Sequence, residues 1–128
     1  MNTIQELDIT EIVDYICANR IKGAYNDWTR EQIEFEVLRA FGEGTCVYIK
    51  DNITNLPLGI VTARKLEDSD GLKIMHITGI LTSKKELLGC FYKIFRTCYP
   101  DYQILGGNRK GRLFAWDVNK IDKHLKGI

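Results

Sequence analysis

The sequence predicts an α+β fold in which a mixed central sheet, made of an antiparallel meander plus a parallel strand pair, is flanked by helices. Three observations predict it. The first third has apolar residues at helical spacing, the middle has three β-rich segments separated by turn signals, and an amphipathic helix is then followed by a short strand. With 128 residues, 45% of them hydrophobic, the chain fits a single domain over residues 1–128.

Two helices are predicted in the first third. Asp8 or Thr10 is available as the N-cap of the first, and Gly42 is expected to end the second. Thr29 and Gln32 form a capping box at the start of the second helix, where each side chain satisfies a free backbone N–H. The apolar stripes that predict the two helices are Ile9, Ile12, Val13, Ile16 and Cys17, and then Ile33, Val37, Leu38 and Phe41.

Three strands follow, at residues 45–50, 58–66 and 72–81. The segments are rich in β-branched and aromatic residues, and turn residues at 51–57 and 68–71 separate them. Short connections of this kind give an antiparallel meander. The middle of the meander is apolar enough to be covered on both faces.

The last third begins with the clearest helix of the chain. Ser83 and Glu86 form a second capping box, the apolar stripe runs from Leu87 to Cys98, and Pro100 stops the helix. Residues 101–105 then form a short strand, and a strand–helix–strand unit implies a parallel pair. Residues 106–108 (Gly-Gly-Asn) are expected to break the chain before RKGRLFAWDV, which is either a strand or a short helix and a strand. The tail NKIDKHLKGI is a helical turn or a frayed end.

The charge pattern is balanced overall and uneven along the chain. The net charge is +1, but residues 1–43 hold four basic and nine acidic residues, whereas residues 84–128 hold ten and four. This gradient indicates either a face for an anionic partner or two halves that pack against each other. The low net charge argues against a dedicated nucleic-acid binder.

Location is predicted from what the sequence lacks. No apolar run is long enough for a membrane span, and the acidic start does not resemble a signal peptide. The four cysteines, at positions 17, 46, 90 and 98, show no CxxC spacing, which argues against zinc and against a disulfide framework. We therefore expect a cytoplasmic protein with no membrane contact, whose thiols are reduced and lie in the core.

The segment TREQIEFEVLRAFGEGTCVYIKDNITNLPLGIVTARKLEDSDGLKIMHITGILTS resembles the GNAT superfamily of acyl-CoA-dependent N-acyltransferases. The likeness lies in the order of helix and strands, in a strand that begins Leu58-Gly59-Ile60, and in the long strand after it. It covers about residues 8–117. Gly106 to Leu113 is similar to the basic ending of short GNAT-like proteins of bacteriophages, which also lack the family's glycine loop.

The resemblance implies acetyl-CoA as the donor and an amine as the acceptor. In the family a bulge separates the long strand from the next parallel strand, and the pantetheine arm lies in the gap. Here this would occur around Thr78, Gly79 and Ile80, which would part from the neighbouring strand near Ile104. Gly79 either marks the bulge or makes room for a large neighbour.

The resemblance also implies a diphosphate site at the next helix, where free N–H groups and the helix dipole favour anions. Ser83, Lys84 and Lys85 stand there without the family's glycine-rich loop, and Glu86 opposes an anion, so this site is degenerate.

Two residues after the last core strand complete the binding set. Asn108 resembles the asparagine that bonds the pantetheine arm, or it belongs to a Gly-Gly-Asn turn. Lys110 lies in a basic cluster with Arg109 and Arg112, which suits a nucleotide phosphate, a nucleic-acid backbone or simply solvent.

The catalytic candidates are His76 as the base and Tyr102 as the acid. Acyl transfer to an amine needs a group that removes the amine proton and one that protonates the thiolate. His76 lies in the long strand, or it is an ordinary strand histidine. Phe114 and Trp116 occupy the region of the family's acidic tyrosine, which counts against catalysis. Cys46 and Cys98 are minor candidates for a nucleophile.

Three functions therefore stay open. The first is an acetyl-CoA-dependent N-acetyltransferase. The second is an inactive GNAT-fold protein that binds a phage or host protein in the host cytoplasm or in the virion. The third is a nucleic-acid-associated protein that uses the basic region at 84–126.

Overall fold

The computed structural model describes residues 6–20, 25–109 and 112–126. The α+β class and the mixed sheet are confirmed. Within the described part of the chain, no helix combines the length and the hydrophobicity needed to cross a bilayer. The elements, in chain order, are α1 (Glu6–Asn19), α2 (Arg30–Glu43), β1 (Cys46–Lys50), β2 (Pro57–Glu67), β3 (Lys73–Thr82), α3 (Glu86–Cys98), β4 (Ile104–Arg109), β5 (Arg112–Asp117) and α4 (Val118–Lys126).

The helices α1 and α2 cover one face of the sheet. Asp8 and Thr10 were expected to cap α1, but the helix already includes Glu6, so both lie inside it and the prediction is wrong. The apolar stripes of the two helices are confirmed as a shared core against Ile60 of β2, except at Leu38, which is 51% exposed. This first core consists of Ile9, Ile12, Val13, Ile16, Tyr25, Ile33, Val37 and Ile60.

The capping box of α2 is confirmed. The Thr29 hydroxyl accepts a hydrogen bond from the Gln32 N–H at 3.1 Å, and the Gln32 side-chain oxygen accepts one from the Thr29 N–H at 2.8 Å. The predicted end at Gly42 is wrong, because α2 continues to Glu43. Gly44 adopts a φ of 76° and its N–H bonds back to the last turn, so this second glycine caps the helix.

The five strands lie side by side in chain order, β1-β2-β3-β4-β5. The β1, β2 and β3 strands form the predicted antiparallel meander, and β4 pairs with β3 in parallel, also as predicted. The second face of the sheet is covered by α3 through a second core that contains Val61, Ala63, Met75, Phe91 and Phe95. The meander is thus covered on both faces, as expected.

Residues 106–108 do not break the chain. Gly106, Gly107 and Asn108 lie within β4, and β5 returns antiparallel beside them. The reason is steric: a Cβ on Gly107 would stand 2.7 Å from the ring of Phe114, so glycine makes room for an aromatic side chain on the next strand. The segment RKGRLFAWDV contributes β5, and the tail contributes α4.

The cysteines are less buried than expected. Cys17 and Cys46 are half-buried against the first core, whereas Cys90 and Cys98 are exposed on α3. The prediction of core thiols is therefore wrong for Cys90 and Cys98. Cys90 lies off the face of α3 that carries Phe91 and Phe95, whereas Cys98 follows that face but is the last residue of the helix.

Candidate functional site

The strands β3 and β4 separate halfway along β3. They pair from Ile74 opposite Ile104 to Ile77 opposite Gly107, and no pairing between them extends beyond that point in the described residues. The β3 strand continues to Thr82, paired only with β2. The predicted separation around residues 78–80 is present, but it begins after Gly107 and not near Ile104, which is paired.

A β-bulge at Thr78 marks the point of separation. Thr62 of β2 lies opposite Gly79 and the next residue, Ala63, lies opposite Ile77, so Thr78 is the extra residue of β3. A bulge bends its strand and increases the local twist. The bend turns the end of β3 away from β4.

Gly79, beside the bulge, makes room for Tyr25. A Cβ on Gly79 would stand 2.2 Å from the nearest ring carbon of Tyr25, which is fully buried. Of the two alternatives drawn from this glycine, the second therefore holds: Gly79 accommodates a large neighbour, and the bulge lies one residue earlier, at Thr78.

A cavity of about 460 Å³ opens where the strands separate, on the face covered by α3. The backbone of residues 78–80 forms part of its wall. Its deep end is formed by Val61, Phe91 and Phe95, which are 0%, 2% and 7% exposed, and its mouth lies at Leu88 and Trp116, which are about half exposed. The cavity therefore runs from the surface into the second core.

Aromatic and aliphatic side chains form the other walls of this cavity. Phe114 and Trp116 stand side by side on β5, with ring centroids 4.6 Å apart, and Ile121 of α4 lies next to them. Among the described residues that line the cavity, Tyr92 is the one phenol. Its hydroxyl donates to the Val118 carbonyl oxygen or to Asp122, at 3.0 and 2.6 Å, and so fastens α4 to α3.

The sequence did not identify Tyr92 as a residue of the site, because its partner Asp122 lies 30 residues away in the predicted tail. Burial and the hydrogen bond to Asp122 raise the pKa of Tyr92 to about 12. Arg96 pairs with the same carboxylate at 2.8 Å. The phenol is therefore neutral and held in place, and it closes one end of the cavity.

On the opposite face, a chain of polar side chains runs behind the bulge. The Thr78 hydroxyl donates to the carboxylate of Glu36 and lies 2.9 Å from the Thr62 hydroxyl, which lies 2.8 Å from the hydroxyl of Tyr25. Each hydroxyl carries one proton, and an ionised carboxylate only accepts. The protons therefore point from Tyr25 through Thr62 and Thr78 to Glu36.

Glu36 is the last residue in this row of hydrogen-bonded side chains, and arginine side chains hold its carboxylate in place. Its carboxylate accepts two hydrogen bonds from the guanidinium of Arg39, one of them at 2.8 Å, and Arg64 lies 3.8 Å away. Burial alone would raise the pKa of Glu36, but the bonds from Arg39 and Thr78 and the two positive charges outweigh it. The net effect lowers the pKa, so the carboxylate is ionised.

Glu36 was not singled out from the sequence, although a signal was present. It lies three residues after Ile33 and four before Ala40, on the apolar stripe of α2. A carboxylate on a buried helix face requires a partner. The partners Arg39 and Arg64 become identifiable only in the fold.

An open cleft of about 570 Å³ lies on this second face of the bulge. Trp28, Phe35, Glu36 and Arg64 are among its lining residues, and the phenyl ring of Phe35 is 68% exposed. Thr78 bonds Glu36 in the cleft wall and also lines the apolar cavity, so the bulge separates the two spaces.

His76 and Tyr102, the catalytic candidates, do not line the cavity. His76 lies opposite Arg64 in the β3–β2 ladder, and its neighbours Met75 and Ile77 face α3, so its imidazole faces the other side of the sheet. Tyr102 precedes β4 and packs edge-to-face on Tyr99, at the closed end of the β3–β4 pair. Burial, then nearby Tyr99 and acidic residues, raise the pKa of Tyr102.

The capping box predicted for α3 is wrong. Ser83 does not cap the helix, because its N–H and its hydroxyl both bond to the Leu58 carbonyl oxygen, at 3.0 and 3.1 Å, and extend the β2–β3 pairing. The helix begins at Glu86, with Lys85 before it and no capping side chain. Ser83, Lys84 and Lys85 are exposed and do not line the cavity.

The residues proposed after the last core strand are only partly described. Asn108 lies in β4 opposite Leu113, at the open end of the separation, and not in a turn. Lys110 lies outside the described residues. The backbones of Arg109 and Arg112 are paired in the β4–β5 ladder.

The Cys46 thiol is not poised as a nucleophile. Burial and the charge of Glu36 raise the pKa of Cys46 to about 12, so its thiol is protonated at neutral pH. Among the residues that the structure describes, no group of three or more His, Cys, Asp or Glu side chains is placed to hold a metal ion.

Comparison with known protein families finds none whose model matches the chain, and comparison with curated proteins finds no match either.

Proposed function

We propose that the chain is a GNAT-like domain that binds a CoA thioester, such as acetyl-CoA, between β3 and β4, and transfers its acyl group to an amine. One observation carries the proposal. The Thr78 bulge, the loss of β3–β4 pairing after Ile77 and the apolar cavity all occur at the same place.

The thioester arm fits this opening. Alternate residues of a strand direct their N–H and C=O groups to each neighbour, and beyond Ile77 the side of β3 that faces β4 has no ladder partner. These groups can hydrogen-bond the two amides of a pantetheine arm, as an added strand would. Ile80 and Leu88 supply apolar contact for its methylene groups.

The diphosphate of CoA fits less well. The first turn of α3 carries Glu86, and the preceding residues have no glycine to admit phosphate oxygens. Lys84 and Lys85 are exposed and offer charge alone. We therefore expect the arm and the acyl group to supply most of the affinity, with a small contribution from the nucleotide.

The acceptor amine would enter from the open cleft on the other face. Its nitrogen forms a bond to the thioester carbonyl carbon, the C–S bond breaks, and the thiolate and the amine proton leave. We retain His76 as the proton acceptor, because it lies on the cleft side of β3 two residues before Thr78. Glu36 is a poor base, since its pKa is low, and we assign it to positioning Thr78.

Blocking the opening should abolish binding. Ile80 lines the cavity next to the bulge, so Ile80→Trp would fill the space between β3 and β4. We expect calorimetric binding of acetyl-CoA to the wild-type chain and at least a tenfold loss in this variant. Ile53→Trp is the matched control, because Ile53 is 94% exposed in the β1–β2 loop. Equal binding by all three proteins, or none by the wild type, would contradict the proposal.

A second candidate is binding without turnover. It is favoured by the placement of His76 and Tyr102 outside the cavity, and by the Tyr92 hydroxyl, which already bonds Asp122 and Val118. None of these groups stands ready to protonate a thiolate. Binding of acetyl-CoA with no thiol release over a panel of amines would support this candidate, whereas release that depends on His76 would support the transferase.

A further inference from the structure

The cavity between β3 and β4 is larger than an acetyl group needs. Its volume of about 460 Å³ lies in the range of sites that enclose whole small molecules, roughly 300–1,000 Å³. It also extends past the strand separation into a space beneath α3. We call this space the chamber; its walls are Val61, Ile77, Phe91, Phe95 and Leu105.

The chamber offers only hydrocarbon. Its five wall residues have no polar side-chain atom, and the Tyr92 hydroxyl at its border is engaged by Val118 and Asp122. A peptide segment placed here would bury amide groups without hydrogen-bond partners, which is costly. An unbranched alkyl chain carries no such groups and can follow a narrow space between a helix and a sheet.

The polar and apolar ends of the site define an orientation. Beyond Ile77, the backbone groups of β3 on the β4 side have no ladder partner in the described residues, whereas exposure falls to almost nothing at Phe91 and Phe95. A carbonyl group can be hydrogen-bonded at the first position, and a methyl end is best placed at the second.

We propose that the chamber holds the alkyl chain of an acyl group longer than acetyl, with its carbonyl at the strand separation and its methyl end between α3 and the sheet. The inference rests on the proposed function for the carrier, a CoA thioester. The chamber itself would also accept the same chain from a free fatty acid, so the two sources need separate measurements.

A chain-length series tests this inference. Acetyl-, butanoyl-, hexanoyl- and octanoyl-CoA are titrated into the full chain, and the matching free fatty acids are titrated separately. Binding is followed by calorimetry and, in a Trp28→Phe variant whose one tryptophan is Trp116 at the cavity mouth, by fluorescence. Affinity for the CoA series should rise about fourfold for each added methylene until the chamber is full. Emission of Trp116 should change in step.

Two variants locate the chain. Val61→Phe and Leu105→Phe each place a ring in the chamber from a different strand, and thermal unfolding shows which of them folds. Either should remove the gain with chain length, so that octanoyl-CoA binds no more tightly than acetyl-CoA to the variant. Ile53→Phe, on the exposed β1–β2 loop, should retain the full gain.

The outcomes separate the inference from the proposed function. If acetyl-CoA binds and affinity does not depend on chain length, or if both chamber variants retain the gain, the chamber assignment is wrong and the proposed function stands. If only the free acids show the gain, the chamber assignment stands and the CoA carrier is wrong. If no member of either series binds, both are wrong.

Discussion

Replacing Gly79 by alanine should destabilise the protein by about 3 kcal/mol, the upper part of the range for overpacking a filled core. The added methyl group would stand 2.2–2.4 Å from three atoms of the Tyr25 side chain. That ring cannot withdraw, because it is fully buried, lies edge-to-face against Trp28 at 5.3 Å and is bonded to Thr62. Gly79 does not have a positive φ, so the penalty is steric and not conformational.

Two further variants test this explanation. Gly89→Ala is the matched control: its Cβ would meet no atom within 4 Å, and alanine is preferred to glycine inside a helix, so α3 should gain about 0.5–1 kcal/mol. In a Tyr25→Ala background the overlap is gone, and the cost of Gly79→Ala should nearly vanish. Denaturant unfolding of the four proteins of this cycle gives the coupling, and an equal cost in both backgrounds would refute the contact.

The helices and the meander could be predicted because their signals are local. Helical spacing in α1 and α2, the Thr29–Gln32 capping box and the strand segments rich in β-branched and aromatic residues each depend on residues a few positions apart. The parallel β3–β4 pair followed from the strand–helix–strand order. These predictions are confirmed because the tertiary contacts favour the same local conformations as the sequence does.

The predictions that were wrong concern residues whose partners are distant in the sequence. Ser83 is an acceptable N-cap in isolation, but the Leu58 carbonyl, 25 residues away, takes both its backbone and its hydroxyl donor. Gly107 was predicted to lie in a break before the last strand, because the sequence cannot show that the ring of Phe114 occupies the space beside it. A glycine that serves a turn and one that serves a neighbour look alike in sequence.

The candidate site was predictable in outline only. The resemblance placed an opening near residues 78–80, and the structure has one there, but the register that makes Thr78 the bulge depends on β2. Glu36 could be recognised as a residue of the candidate site only in the structure, where Arg39, Arg64 and Thr78 surround its carboxylate. His76 and Tyr102 lie outside the cavity because strand alternation and the start of β4 set their directions.

Arg39 joins α2 to β2 and neutralises a buried carboxylate, so its loss should be highly damaging, costing about 3–5 kcal/mol at neutral pH. Its guanidinium makes two bonds to Glu36, one to Glu43 at 2.6 Å and one to the Ala63 carbonyl at 2.8 Å. In Arg39→Ala the Glu36 carboxylate would remain buried with only the Thr78 hydroxyl and the half-exposed Arg64, 3.8 Å away, to compensate it. An uncompensated buried charge is what makes this substitution costly.

The pH dependence should distinguish this cause from simple loss of packing. In the wild type the pKa of Glu36 lies below its ordinary value of 4.5, so its stabilising contribution is complete above that pH and is lost as the pH falls through the folded-state value. In Arg39→Ala, burial dominates and raises the pKa of Glu36. The variant should therefore regain stability relative to the wild type as the pH falls from neutral to mildly acidic.

Urea unfolding at several pH values measures both the loss of stability in Arg39→Ala and its dependence on pH. Two control variants are measured in the same way. Arg30→Ala removes an ion pair with Asp14 in which both side chains are more than half exposed, so it should change stability very little. The double variant Arg39→Met/Glu36→Leu removes both charges and should recover most of the loss, since apolar residues of similar size commonly replace buried ion pairs. A loss in Arg39→Ala that is independent of pH, or one that the double variant fails to recover, would show that the packing of the arginine stem, and not the charge of Glu36, holds α2 against the bulge.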